Sequence, residues 1–117
     1  MFKVIIAGGR DFSDYDLLKV KMNKILSNIT DEIVVISGTA RGADSLGEKY
    51  ATEMGYKLEK YPANWNKYGK RAGYLRNEQM ADVAHACVCF WDSKSKGTKH
   101  MIDLANEKKL KLRVVKY

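Results

Sequence analysis

The sequence predicts one α/β domain, on three observations. Short apolar runs at residues 2–7, 33–36 and 86–91 are each followed by a segment whose apolar residues recur at helical spacing. The runs are apolar at consecutive positions rather than alternate ones, as expected of strands buried on both faces of a parallel sheet. The length of 117 residues suits one core, because domains cluster near about 100–150 residues. Strands alternating with helices through the whole chain make right-handed βαβ units. The expected architecture is therefore a single Rossmann-like three-layer domain over 1–117, with a mostly parallel five-stranded sheet flanked by helices.

Residues 2–7 are the first strand, and Gly8-Gly9 end it. Ser13 or Asp14 is a suitable N-cap for a helix over 14–28, in which Leu17, Leu18, Val20, Met22, Ile25, Leu26 and Ile29 recur at mostly helical spacing. Residues 33–36 are the second strand. Gly38-Thr39-Ala40-Arg41-Gly42 then leads into a helix over 42–54, with Ala43, Leu46, Tyr50, Ala51 and Met54 turned inward and Gly55 as its stop. The third strand, 57–61, alternates in polarity as an edge strand does, and Pro62 closes it. Residues 62–71 form a long connection whose aromatic and basic composition exceeds what a spacer needs. A helix over 72–84, a fourth strand over 86–91, a helix from Ser95 to about 109 and a last strand over 112–115 complete the chain.

Composition narrows the functional classes. Hydrophobic residues make up 45%, yet no apolar run approaches the roughly 20 residues of a membrane span. The apolar start runs into Gly8-Gly9-Arg10 without the flanks of a signal peptide, so a soluble, cytoplasmic protein is expected. The two cysteines, Cys87 and Cys89, are one residue apart in a strand and face the same side, the arrangement of buried structural thiols rather than a disulfide or a metal site. A formal charge of +7 favours an anionic partner. Part of that charge belongs to the alternating run 108–113, which reads as a solvated face.

In a parallel α/β sheet ligands bind at the carboxyl ends of the strands, so function is sought in four loops. Gly8, Gly9, Arg10 and Asp11 join glycines that admit close backbone approach to a guanidinium suited to phosphate. Gly38, Thr39, Arg41, Gly42 and Asp44 stand between a buried strand and a helix N-terminus, where free N–H groups favour an anion. This loop has neither the GxGxxG order nor the Walker lysine, so ordinary dinucleotide and P-loop binding do not follow. Trp65 offers a stacking face beside Lys67, Lys70, Arg71 and Arg76. Gly97 and Thr98 open another helix. No metal-ligand cluster and no cofactor motif is evident; Asp11, Asp44 and Asp92 are the carboxylates available to a divalent ion accompanying phosphate.

The succession GGRDF, SGTARGADSLGEKYA, YPANWNKYGKRAGYLRNEQM and KGTKHMIDLA resembles the YspA-type, cpYpsA-related branch of the SLOG superfamily over almost the whole chain. The resemblance implies a Rossmann-like sheet with a nucleotide-type site built from these motifs, and a homo-oligomer as is common in related proteins. Other members of the superfamily are phosphoribohydrolases, sensors of signalling nucleotides and DNA-processing proteins. Compared with the phosphoribohydrolases, Arg76-Asn77-Glu78 resembles the arginine element and Gly97-Thr98 matches the GT pair of PGGxGTxxE, but Met101 stands where the glutamate would be. Methionine cannot transfer a proton, which leaves Arg76, Glu78 and Asp44 as catalytic candidates. The expected function is binding of a nucleotide or nucleotide-derived signal by Gly8, Gly9, Arg10, Asp11, Gly38, Thr39, Arg41, Gly42, Asp44, Trp65, Arg76, Asn77, Gly97 and Thr98, as a sensor or sequestering protein in conflict between phage and bacterium. A nucleotide-processing hydrolase and a single-stranded nucleic-acid binder are the alternatives.

Overall fold

The computed structural model describes residues 1–117. Five strands, β1 (Phe2–Gly8), β2 (Ile33–Ser37), β3 (Lys57–Lys60), β4 (Ala86–Trp91) and β5 (Lys111–Lys116), pair in the order β3-β2-β1-β4-β5. Every pairing is parallel. Helices α1 (Tyr15–Leu26), α2 (Ala43–Met54), α4 (Ala72–Val83) and α5 (Lys96–Glu107) connect them; a short helix α3 (Trp65–Tyr68) and a 3₁₀ turn at Gly69–Arg71 precede α4.

The period of two along each strand sorts side chains into two cores. Val4 and Ile6 of β1, Val35 of β2 and Val88 of β4 face α1 and α2, where they meet Leu18, Met22, Tyr50 and Ala51. Ile5, Ala7, Ile36, Cys87 and Cys89 face the opposite way, against Met80 of α4 and Met101, Leu104 and Ala105 of α5. The consecutive apolar residues of the central strands thus supply one layer each. Cys87 and Cys89 are buried side by side as free thiols, their Sγ atoms 3.5 Å apart in a thiol–thiol hydrogen bond. The edges carry charge instead: Lys57, Glu59 and Lys60 on β3, and Lys111, Arg113 and Lys116 on β5, which discourages pairing with another strand.

Local chemistry sets the helix ends. Asp14 caps α1, its Oδ1 accepting the Leu17 N–H at 3.1 Å; Gly55 ends α2 in the left-handed conformation; Ser95 caps α5. Several expectations are corrected in detail. Helix α1 ends at Leu26 rather than 28, and Val20 and Met54 lie exposed, off the buried stripes of α1 and α2. The connection after β3 is not irregular throughout, because Asn64 caps α3 by accepting the Lys67 N–H at 3.1 Å.

Helix α2 lies close against β1 at Gly47, where an added Cβ would stand 2.8 Å from Ile6 Cγ2. Alanine there would gain about 1 kcal/mol of helix propensity, whereas overpacking a filled core costs about 1–3 kcal/mol. Gly47→Ala is therefore expected to lower unfolding free energy by about 1 kcal/mol in urea denaturation; an unchanged or raised value would show that Ile6 yields without cost.

Candidate functional site

The strand order fixes where a ligand can enter. From β1 the chain proceeds outward through β2 to β3, then returns across the sheet to β4 on the other side of β1. The loops after β1 and β4 consequently diverge and leave a crevice at the carboxyl edge, the switch point at which open α/β sheets bind ligands. A cavity of about 790 Å³ occupies that place.

The β1–α1 loop forms its floor. The Gly9 N–H donates to Phe90 O at 3.0 Å, while Gly9 O accepts the N–H groups of Phe12 and Ala43, each at 3.2 Å. The second of these bonds ties the loop to the start of α2, and it requires glycine at position 42. Gly42 has φ +79°, and a Cβ there would fall 2.3 Å from Gly9 O. Asp11 is held by a residue from the other end of the sequence, its Oδ1 accepting from the Tyr117 hydroxyl at 2.6 Å.

The β2–α2 loop turns tightly. Ser37 Oγ accepts the Thr39 N–H at 3.0 Å and donates to Glu48 Oε2 at 2.7 Å, with Thr39 in the left-handed region at φ 64°. Asp44, in the first turn of α2, does not cap its helix; Oδ2 reaches back to accept the Ala40 N–H at 3.1 Å. Only 5% of Asp44 is exposed. Burial lifts its carboxyl to about 6, against the opposing pull of the Ala40 N–H and the Arg76 guanidinium.

Arg76 crosses the mouth of the crevice from α4. Its Nη1 donates to Gly38 O and its Nε donates to Asn77 Oδ1 at 3.0 Å. Two donor directions are fixed in this way, and Nη2 lies beside Gly73 and the Trp65 ring that packs on Gly73. Asn77, nearly buried, extends the chain of contacts to α5: its Nδ2 lies 3.4 Å from Gly97 O and 3.2 Å from His100 Nδ1. One arginine and one asparagine thereby fix the β2–α2 loop relative to the N-terminus of α5. There Asp92 Oδ1 accepts the N–H groups of Lys94 and Ser95, both at 2.8 Å, which holds its carboxyl below the usual range. Ser95 Oγ accepts the Thr98 N–H at 3.3 Å.

Of the residues expected at the site, Gly8, Gly9, Arg10, Asp11, Arg41, Asp44, Trp65, Arg76, Asn77, Gly97 and Thr98 line this cavity. Gly38 and Thr39 line an adjoining one of about 560 Å³. Gly42 stands behind the wall, where it shapes the loop. Glu78 is placed elsewhere: it is exposed on the outer face of α4 and does not join Arg76 and Asp44 in the crevice. Gly73, Tyr74, Met80, Ser95 and Met101 also line the cavity and were not expected. Gly73, Arg76, Asn77 and Met80 have the i, i+3, i+4, i+7 spacing of one helical face. Anchoring that pattern on Arg76 finds three of the lining residues and excludes Glu78. No three histidine, cysteine or acidic side chains come together as a metal-binding group.

The fold and site define a class: a Rossmann-like domain with an arginine-rich crevice at its switch point. Residues 2–68, more than half of the chain, match the YspA, cpYpsA-related SLOG family (YAcAr), and the chain belongs to that family. It is 34% identical over 106 residues to the Gene 61 protein of Mycobacterium phage D29, a match covering 86% of this chain and 85% of that protein. Two solved structures share its fold over 97% of the chain. One is DNA processing protein A from Helicobacter pylori, described for its mode of binding single-stranded DNA, with TM-score 0.69 and 21% identity. The other is DNA processing protein A from Streptococcus pneumoniae, with TM-score 0.72 and 18% identity. The chain spans 64% and 50% of their respective lengths. No helix is long and apolar enough to cross a membrane.

Proposed function

We propose that the crevice binds a nucleotide or nucleotide-derived ligand, with phosphate on Arg76, Arg10 and Arg41 and a base or ribose against Trp65. The observation that carries this reading is Arg76, oriented by Gly38 O and Asn77 beside a half-exposed Trp65 in a cavity of about 790 Å³. A guanidinium with fixed orientation recognises phosphate through charge-assisted hydrogen bonds, and an exposed indole stacks on any base. The cavity lies within the roughly 300–1,000 Å³ typical of small-ligand sites. Arg10, Arg41, Lys70 and Arg76 outnumber the acidic Asp11 and Asp44 on its walls.

Thermal denaturation with AMP, NAD, ADP-ribose, cyclic ADP-ribose isomers, cyclic dinucleotides and short single-stranded DNA tests the proposal, because a ligand of the native state raises the midpoint by mass action. A shift with at least one nucleotide is expected, with mass spectrometry recovering it intact, as befits a sensor or sequestering protein. A ligand recovered as product would favour the hydrolase instead, with Asp44 as the acid in reach. No shift with any of them would remove the nucleotide reading.

Single-stranded DNA is the second reading, supported by the likeness in fold to a protein that binds it. The two readings differ in salt dependence. A strand neutralised by all four basic wall residues should give log K against log salt a slope of about −3, since each phosphate contact on a single strand contributes about −0.7. A mononucleotide meeting one or two cations should stay near −1.

A further inference from the structure

The two cavities at the carboxyl edge share a wall. Arg10, Ala40, Arg41, Trp65 and Arg76 line both the crevice and the adjoining 560 Å³ cavity. Beyond this partition the second compartment adds only Gly38, Thr39, Pro62 and Ala63, with no cation of its own. All three arginines thus stand between the compartments. The first compartment's own wall sets Tyr74, Met80 and Met101 beside Lys70, Asp11 and Asp44, and the second's offers Pro62 and Ala63. A mononucleotide with its phosphate on the partition would fill one compartment and leave the other to water.

Resting on the nucleotide reading above, we infer that the site takes two nucleotide units joined by a phosphodiester, with the linking phosphate on the arginine partition and one base in each compartment. The three arginines lie where the link between units falls, and no charged side chain is added where the second base falls. Stacking in the second compartment would use Pro62 and the far side of Trp65. A further shallow hollow of about 400 Å³, lined by Pro62, Ala63, Asn64, Trp65 and Asn66, continues in the same direction. It supplies the difference between a discrete dinucleotide and a segment of a longer strand.

Calorimetric titration with AMP, the linear dinucleotide pApA and oligo(dT) of two to six units tests the inference. In the unaltered protein pApA is expected to bind about tenfold tighter than AMP, the gain of one stacked base. Affinity that stops rising at two units identifies a free dinucleotide; affinity that keeps rising to four or more identifies a strand running over the outer hollow. Ala63 lines the second compartment and not the first, so Ala63→Trp is chosen to fill the second. It is expected to bring pApA to within about twofold of AMP and to leave AMP unchanged, removing the gain from the second stacked base. Equal affinity for AMP and pApA in the unaltered protein would overturn the inference while leaving the nucleotide reading in place, as would an Ala63→Trp variant of unchanged melting temperature that weakens both alike. Failure of every probe to bind would remove that reading as well.

Discussion

Replacing Arg76 by alanine is expected to lower affinity for a nucleoside phosphate about a hundredfold, the equivalent of roughly 2.7 kcal/mol, because a charge-assisted hydrogen bond is lost together with the anchor of the loop that carries it. The geometry behind this magnitude is the double attachment of the guanidinium to Gly38 O and Asn77 Oδ1. Burial disfavours the charged form of Arg76 while Asp44 supports it, and Arg10 opposes it in turn. A partly buried cation with two donors already committed to neutral acceptors gains from an anion that completes its charge. Arg76→Lys keeps the charge but not the planar fork, and about a tenfold loss is expected. Isothermal titration against AMP, with circular dichroism to verify the fold, decides the matter; an alanine variant that binds like the unaltered protein would show that phosphate sits elsewhere.

The second large effect concerns stability. Asp44 has a carboxyl at about 6 in the folded chain, above its ordinary 3.8, so the folded state holds this proton more tightly than the unfolded state does. The stabilisation associated with the bound proton is complete below about pH 4 and is lost as pH rises through 6, a change of about 3 kcal/mol for this group. Asparagine at 44 retains an oxygen to accept the Ala40 N–H and carries no charge to desolvate. Asp44→Asn is accordingly expected to stabilise the protein by about 3 kcal/mol at pH 7.5 and by little at pH 4. Urea denaturation at both pH values checks it. Equal stability of the two proteins at pH 7.5 would mean that the Arg76 and Arg10 charges offset the burial of Asp44. A carboxylate retained at such a cost in the crevice is a mark of a functional site.

Much of the fold could be read from residues close in sequence. Consecutive apolar positions marked the central strands, and the charged alternation at Lys57, Glu59 and Lys60 marked an edge. The same reasoning points to the crevice, since loops bearing glycines and cationic side chains recur after β1, β2 and β4. What could not be read depends on tertiary packing. The depth of Asp44 is one such feature, set by the packing of α2 on β1 and β2 and by the Arg76 side chain reaching over from α4. Tyr117 and Asp11 are 106 positions apart, and nothing local announces that they meet. Proximity in sequence groups Glu78 with Arg76, whereas two residues along a helix point to opposite sides, and Glu78 is exposed. The charged side chains of the run at 108–113 are solvent-exposed, and none of these residues lines the crevice.

That separation makes the central claim measurable. Titrating the ¹⁵N-labelled protein with AMP or pApA and following amide chemical shifts reports directly where the ligand binds. The amides of Gly8, Gly9, Gly38 and Gly97, together with the Arg76 side chain, are predicted to shift in concert and to saturate with one affinity, while those of residues 108–113 stay in place. Shifts confined to residues 108–113, or no shift at the four glycines at saturating ligand, would contradict a nucleotide site at the switch point.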